Sequence, residues 1–166
     1  VSSITDYKDL TDVYATVKEK YPDMVMMASN NSATPDTKYE MNDTLTDGFG
    51  VLMDHGQDTT VVDYYETDEY KEFVETMYDW QQKGYLSKDA ATTTESAENQ
   101  VKAGAAFSYL APNKPGYDTR AALLCGTEME IAPISEPWAG TAQISYLTYG
   151  ISSSSADKDK TMQCLD

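Results

Sequence analysis

The segment from Thr67 to Tyr109 constrains the fold most, because it predicts a helix, a stop, a second helix and a buried strand in a fixed order. Thr67 can accept a hydrogen bond from a first-turn amide, and two acidic residues follow where the helix dipole favours negative charge. Apolar side chains then recur at spacings of three and four, at Tyr70, Phe73, Val74, Met77 and Trp80. Gly84 can take the left-handed conformation that ends a helix. We therefore expect a helix with one buried side that stops at Gly84.

Before this segment, the sequence predicts one helix and three short strands. Apolar spacing indicates a helix that is capped by Thr5 or Asp6 and ends before Pro22. A buried strand is expected at 24–28, and residues 29–47 are polar enough to predict a loop or flap. The other two predicted strands pair around the turn 54–58 and cover residues 49–53 and 61–65.

After Lys102, further short elements are expected. They are a strand at 105–110, a helix at 117–125 that Gly126 ends, a strand at 130–134 and a final helical pattern that contains Met162 and Leu165. Alternation of helices and short strands predicts an α/β fold, bordering on α+β, in which helices pack on a short-stranded sheet.

Length and charge restrict the class of protein. The 166 residues can bury a real core and fit a single domain, 1–166. Twelve Lys and Arg stand against 28 Asp and Glu, and the net charge of −16 would repel nucleic acid and an anionic membrane surface. The longest apolar runs, such as 24–28, are far shorter than the roughly 20 residues that span a bilayer.

The sequence gives little support for catalysis, a metal or a cofactor. His55 is the one histidine, which excludes a two-histidine zinc site within the chain, and we expect it to lie on a solvated turn. The acidic pairs Asp68–Glu69 and Glu128/Glu130 are expected to be solvated or to favour a helix dipole. Motifs of nucleotide-binding loops and serine hydrolases are absent from the sequence. We therefore predict a protein that is not an enzyme and has no cofactor.

Cysteines and aromatic residues also bear on function. Cys125 and Cys164 have no CxxC or Cys/His spacing, so two free or buried thiols are expected rather than a disulfide. Thirteen tyrosines, two tryptophans and three phenylalanines give many flat apolar faces, and a tyrosine also offers a hydroxyl that suits a sugar surface. Aromatic residues on the helices are expected in the core. Trp138, between a proline and a glycine, fits either ligand stacking or packing.

Three stretches carry a resemblance to a known family. They are DEYKEF…MYDWQQKGYLSKDA in the first predicted helix and its stop, VKAGAAFSY at 101–109, and YGISSSSADKDKTM at 149–162. In this order and spacing they resemble the extracellular solute-binding proteins, family 1, of bacterial ABC importers. The sequence looks closest to sugar-binding lipoproteins of gut Gram-positive bacteria.

The resemblance implies a type II periplasmic-binding-protein-like fold, of which 1–166 would be most of the second lobe. It implies capture of a carbohydrate or related polar solute in a cleft between lobes, and delivery to a membrane permease by a monomer. The whole protein would be an extracellular, cell-surface lipoprotein whose anchor lies outside this chain. Two alternatives remain open, namely a surface module that binds another protein and a fragment of a carbohydrate-active enzyme.

The resemblance also suggests where the ligand would be bound. Family members tend to place an aromatic residue in the cleft before the return strand, where Trp138 stands here. Tyr109 and Asn113 would lie near the hinge and cleft. Thr141 and Gln143 could hydrogen-bond ligand hydroxyls, and Tyr149 flanks the later strand. Packing or surface exposure remains an alternative for each, and the sequence does not distinguish a sugar from a peptide as ligand.

Overall fold

The computed structural model describes residues 4–29, 43–45, 49–90, 92–135, 137 and 150–165. Regular elements occur in this order: α1 (Leu10–Lys20), β1 (Val25–Met27), β2 (Asp43–Thr44), β3 (Gly50–Leu52), β4 (Val61–Asp63), α2 (Asp68–Gln82), α3 (Ala97–Lys102), β5 (Ala106–Ser108), α4 (Tyr117–Cys125) and α5 (Lys158–Leu165). Short 3-10 turns precede α1 at Tyr7–Asp9 and α2 at Tyr64–Glu66. The predicted mixture of helices and short strands is confirmed, and no helix in these ranges is long and apolar enough to cross a bilayer.

The first helical segment begins at the predicted cap. The Asp6 carboxylate accepts a hydrogen bond from the Lys8 amide at 2.9 Å, and the Asp6 amide donates to the Asp9 carboxylate at 3.1 Å. This reciprocal capping box satisfies amides that have no partner within the helix. Helix α1 then ends at Lys20, before Pro22, as the sequence predicted.

Helix α2 also begins and ends where its sequence predicts. The Thr67 hydroxyl accepts a hydrogen bond from the Tyr70 amide at 3.2 Å. At the other end, Gly84 has a φ of 69°, and the Tyr85 amide donates to the Trp80 carbonyl at 2.9 Å. This is the Schellman arrangement, in which a left-handed glycine lets the chain fold back over the last helical turn. Tyr85 is thereby buried in the core.

Strands β1 and β5 form a parallel pair with Val25 opposite Ala106 and Met27 opposite Ser108. Leu86, just after the stop of α2, makes an isolated parallel bridge to Met27. The Tyr85 carbonyl accepts hydrogen bonds from the amides of Met26 and Met27. The end of α2 therefore lies beside β1, as in a helix that connects two parallel strands.

A separate antiparallel sheet has the strand order β2-β3-β4. The expected pairing of 49–53 with 61–65 is confirmed in shortened form, with Val51 opposite Val62. Strand β2 corrects the prediction of a loop throughout 29–47, because Thr44 pairs with Val51 and Asp43 is buried. Backbone pairing to β3 organises this polar segment although its side chains give no strand pattern. Residues 30–42 and 46–48 lie outside the described ranges.

The predicted strand at 130–134 is wrong. The segment has no regular secondary structure, although Ile134 packs against the main core cluster. Pro133 lacks the amide that a ladder requires, so its apolar neighbours can be half-buried without forming a strand. The predicted helix Tyr117–Cys125 is confirmed with the same bounds and is followed by Gly126 at a φ of 67°.

Most helical aromatic residues form the core that the sequence predicted. The first buried cluster contains Tyr7, Tyr14, Met26, Met27, Phe73, Trp80 and Tyr85. Tyr14 and Trp80 meet edge to face with centroids 5.0 Å apart, and the Trp80 indole donates to the Thr11 hydroxyl at 2.9 Å. Val74 was expected on this buried side of α2 but is 42% exposed. The buried stripe follows Phe73 and Trp80, seven residues apart, and Val74 lies beside it.

A second, smaller core cluster lies on the other side of β5. It contains Ala28, Ala97, Val101, Ala106 and Cys125, with Tyr109 and Met129 packed against it. Helices α3 and α4 supply most of these side chains. Cys125 is a free, buried thiol, as expected, whereas the side chain of Cys164 lies outside the described structure.

Helices α1 and α2 run in the same direction, opposite to the parallel strands. Tyr7 contacts Phe73 near the starts of the helices, and Tyr14 contacts Trp80 farther along. The end of α2 lies beside the start of β1, so α2 runs back along the strands in the opposite direction. The beginnings of α1 and α2 therefore lie at the end of the molecule where β1 and β5 finish. The antiparallel sheet, which leads directly into α2, is therefore also at this end.

Candidate functional site

The carboxyl ends of β1 and β5 form the candidate site. In open α/β sheets, ligands bind in the crevice outside the carboxyl ends of parallel strands. Ala28 and Tyr109 directly follow the two strands, and the Ala28 amide donates to the Ser108 carbonyl at 2.8 Å. Beyond them, the backbone carbonyl of Ser29 accepts a hydrogen bond from the Gln100 side chain at 3.0 Å. Hydrogen bonds thus hold the carboxyl ends of both strands in place at this edge.

The Ser108 side chain links the two parallel strands to α1 by hydrogen bonds. Its hydroxyl donates to the Met26 carbonyl at 2.8 Å and lies 2.8 Å from the Tyr14 hydroxyl. A serine hydroxyl has one proton, so the Tyr14 hydroxyl must be the donor in the second bond. Burial raises the pKa of Tyr14 to about 12. The network ties α1 to both strands; the strand pattern alone did not predict it.

Tyr109, a predicted ligand-binding residue, is half-buried at the end of β5. Its hydroxyl accepts a hydrogen bond from the Tyr117 hydroxyl at a long 3.5 Å, and it lies against the Cys125 thiol. Burial, and then the neighbouring Tyr117 hydroxyl, raise the pKa of Tyr109 above its usual range. Burial also raises the pKa of the Cys125 thiol. These contacts assign Tyr109 a packing role, and ligand binding by its remaining exposed surface stays a prediction.

Asn113, a second predicted site residue, is exposed in the loop between β5 and α4. Within this loop, Pro112 and Pro115 flank Asn113 and Lys114, and Gly116 ends the loop with a φ of 76°. The Tyr117 amide donates to the Lys114 carbonyl at 3.0 Å and closes the turn that begins α4. Asn113 is therefore exposed to solvent in the loop that follows β5. The other predicted site residues, Trp138, Thr141, Gln143 and Tyr149, lie outside the described residues.

An exposed group of aromatic rings, which sequence reasoning did not assign to a site, lies beside the antiparallel sheet. We call Phe49, Tyr65 and Tyr70, with the buried Tyr64 beneath them, the hairpin aromatic cluster. Ring centroids are 5.5 Å apart for Phe49 and Tyr65, and 4.8 Å apart for Tyr65 and Tyr70. Phe49 is 59% exposed and Tyr65 is 41% exposed. The sequence signal was the adjacent pair Tyr64–Tyr65, of which one residue had to point away from the core.

The residues weighed as possible acids and bases lie on the turn Met53–Gly56, in the first turn of α2 and after α4. Asp54 and His55 adopt left-handed conformations with φ of 53° and 55°, in the helical turn Met53–Gly56. Asp54 is exposed as expected, but His55 is half-buried, which corrects the prediction of a solvated turn for that residue. Glu128 and Glu130 are exposed, and Asp68 and Glu69 lie in the first turn of α2. Within the described ranges, no group of three or more His, Cys, Asp or Glu side chains could hold a metal ion.

This chain is similar in sequence to a known transport protein. No family model matches the chain. A carbohydrate ABC transporter substrate-binding protein of Streptococcus pneumoniae is 26% identical over 167 residues, which cover 100% of this chain and 34% of that protein. The chain thus spans about a third of the length of this curated relative.

Two solved structures match as well. Both are crystal structures of the N-glycan transport solute binding protein NgtS from Streptococcus pneumoniae. The complex with Man5GlcNAc has a TM-score of 0.73 and 26% identity, and covers 99% of this chain and 36% of that one. The complex with Man1GlcNAc has a TM-score of 0.69 and 27% identity, and covers 82% of this chain and 30% of that one. Sequence and fold together confirm that this chain resembles the solute-binding proteins of bacterial carbohydrate ABC importers.

Proposed function

We propose that this chain is most of the second lobe of an extracellular solute-binding protein that captures a carbohydrate for an ABC importer. The observation that carries the proposal is the match to NgtS over 99% of the chain at a TM-score of 0.73, in a structure with Man5GlcNAc. The relevant ligand class is therefore a neutral oligosaccharide built from hexoses and N-acetylhexosamines. Binding would close two lobes around the sugar and shift the population from open to closed states.

The geometry supports a binding function without covalent chemistry. The carboxyl ends of the parallel strands provide an anchored edge, and Asn113 is exposed in the loop that follows β5. Trp138, Thr141, Gln143 and Tyr149 follow in sequence and would complete the site with one large ring and several hydrogen-bonding groups. Tyr109 would contribute its exposed surface. We place the mature protein at the cell surface as a monomeric lipoprotein, where it would deliver its sugar to a membrane permease.

Isothermal titration calorimetry of the mature protein with Man5GlcNAc, a neutral disaccharide and a peptide mixture tests this proposal. The expected result is sugar binding that Trp138→Ala weakens by about tenfold or more. The substitution removes the contact area and the ring stacking that the indole would provide to the sugar. Tyr78→Ala is the control, since Tyr78 is 66% exposed on α2 and outside the proposed site. Binding of peptides and not of sugars would contradict the proposed substrate class.

A further inference from the structure

We propose that the hairpin aromatic cluster is a second sugar-stacking subsite, which takes the outer residues of a neutral oligosaccharide bound at the carboxyl ends of β1 and β5. The inference rests on the proposed function and adds a location and a preference for ligand charge. Phe49 and Tyr65 would carry most of the contact, since they are the most exposed rings of the cluster.

The cluster lies at the same end of the molecule as the carboxyl ends of β1 and β5. The Tyr64 amide donates to the Phe49 carbonyl at 2.9 Å, which places the rings at the end of the β3-β4 pair that leads into α2. The start of α2 lies at the same end as the carboxyl ends of the parallel strands, because α2 runs opposite to them. An oligosaccharide that extends from the strand edge over the beginnings of the helices would therefore approach the cluster.

The rings are held in place before any ligand binds. Tyr64 is fully buried and packs against both Tyr65 and Tyr70, with centroids 6.0 and 5.3 Å away. The Asp63 carboxylate accepts a hydrogen bond from the Tyr65 amide at 3.0 Å, and the Thr67 hydroxyl donates to the Tyr64 carbonyl at 2.6 Å. A preorganised surface of this kind loses little conformational freedom on binding.

The chemistry of the cluster fits a sugar. Phe49 and Tyr65 meet at an interplanar angle of 60°, and Tyr65 and Tyr70 meet at 83°, so the rings present surfaces in different directions. Apolar ring faces suit the C–H faces of pyranoses, and the tyrosine hydroxyls can hydrogen-bond sugar hydroxyls. Rigid aromatic residues of this type supply large contact area at low entropic cost.

The charge around the cluster selects among sugars. Between residues 49 and 71 the sequence has six Asp and Glu residues and one cation, Lys71. Asp63, Glu66 and Asp68 are exposed in this stretch. A negative surface repels anions, so sugars that carry carboxylates, sulfates or phosphates are disfavoured. The occupant we assign is therefore a neutral oligosaccharide.

The test uses calorimetry on the mature protein with a neutral disaccharide, Man5GlcNAc and an oligosaccharide of similar size that ends in a carboxylate-bearing sugar. Variants are Phe49→Ala, Tyr65→Ala, the double variant and the exposed control Tyr78→Ala. Each single substitution should weaken the binding of Man5GlcNAc by about two- to tenfold, as expected for one lost stacking ring. The double variant should bind Man5GlcNAc more weakly still. The disaccharide affinity should change less than about twofold, and the acidic oligosaccharide should bind more weakly than Man5GlcNAc.

The outcomes separate this inference from the proposed function. If the wild-type protein binds sugars and the double variant binds Man5GlcNAc equally well, the second subsite is refuted and the carbohydrate function stands. An equal loss for the disaccharide and Man5GlcNAc would also refute it, because the rings would then act through the fold. Self-association that the double variant abolishes would assign the rings to a contact between copies. If the wild-type protein binds no neutral sugar, the proposed function and this inference both fail.

Discussion

Removal of the Ser108 hydroxyl should destabilise the protein more than its small size suggests. Ser108→Ala breaks the hydrogen bond to the Met26 carbonyl and the bond from Tyr14, both at 2.8 Å. Tyr14 is only 1% exposed, so its hydroxyl would lose its acceptor in a buried position. A net hydrogen bond contributes about 1 kcal/mol, and a buried unsatisfied polar group costs about 1–3 kcal/mol. The expected loss in the free energy of unfolding is therefore about 2–4 kcal/mol.

A double-mutant cycle with Tyr14→Phe distinguishes this network from packing alone. Tyr14→Phe keeps the ring contacts with Trp80 and Tyr85 and removes one hydroxyl, so a loss of about 1 kcal/mol is expected. In the double variant, no buried hydroxyl remains without its partner, and the loss should be about 1 kcal/mol smaller than the sum of the single losses.

Urea unfolding, followed by tryptophan fluorescence or circular dichroism, measures each loss as a change in midpoint at constant slope. Thr16→Ala is a control, because the Thr16 hydroxyl makes only an exposed contact with the Asp12 carbonyl. Single losses that add exactly in the double variant would refute the coupling between Tyr14 and Ser108. A Ser108→Ala loss below about 0.5 kcal/mol would refute the assignment of the network as a support of the strand edge.

Three further predictions follow from particular residues. Burial raises the pKa of Tyr14 from 10.0 to about 12, so the folded state holds the phenol proton more tightly than the unfolded state. The stability that this proton contributes is fully present below pH 10 and is lost as the pH rises to 12. Tyr14→Phe should therefore flatten the fall in urea midpoint between pH 10 and pH 12. Gly56→Ala should lower the free energy of unfolding by about 1–3 kcal/mol, because φ is 76° and a Cβ would lie 3.2 Å from the Asp43 Oδ2 atom; a circular dichroism melt within 1 °C of wild type would contradict this. In a Cys164→Ser background, the buried Cys125 thiol should react with a thiol reagent at least about tenfold more slowly in native protein than in urea. Equal rates would show that the thiol is accessible in the native protein.

Local signals predicted the helices well. Thr67, the apolar spacing and Gly84 act within a few residues of one another, so α2 could be assigned with its cap and its stop. The same holds for the helix at Tyr117–Cys125, which Gly126 ends. These signals depend on backbone conformation and neighbouring amides, which a single sequence displays directly.

Long-range contacts were harder to predict. The segment 130–134 has an apolar pattern, but Ile134 is half-buried without a strand, and Asp43 is buried in a strand despite its polar neighbours. A strand exists only if another backbone pairs with it, and that partner is distant in sequence. The same limit applies to the hairpin aromatic cluster, because nothing local shows which of Tyr64 and Tyr65 is buried.

The candidate site was predicted mainly through the family resemblance. Tyr109 directly follows β5 and is half-buried, and Asn113 is exposed in the loop after it. Their contributions to binding stay predictions, as do those of Trp138, Thr141 and Gln143. Periodicity cannot separate a ring that packs from a ring that stacks on a ligand, since both uses favour the same residue types.

The central claim is carbohydrate capture, and the most direct test is calorimetric titration of the mature protein with neutral oligosaccharides, with peptides titrated in parallel. The account predicts saturable binding of a neutral oligosaccharide at one site per molecule and no binding of peptides. Saturable peptide binding, or heat no greater than dilution for every sugar tested, would contradict it.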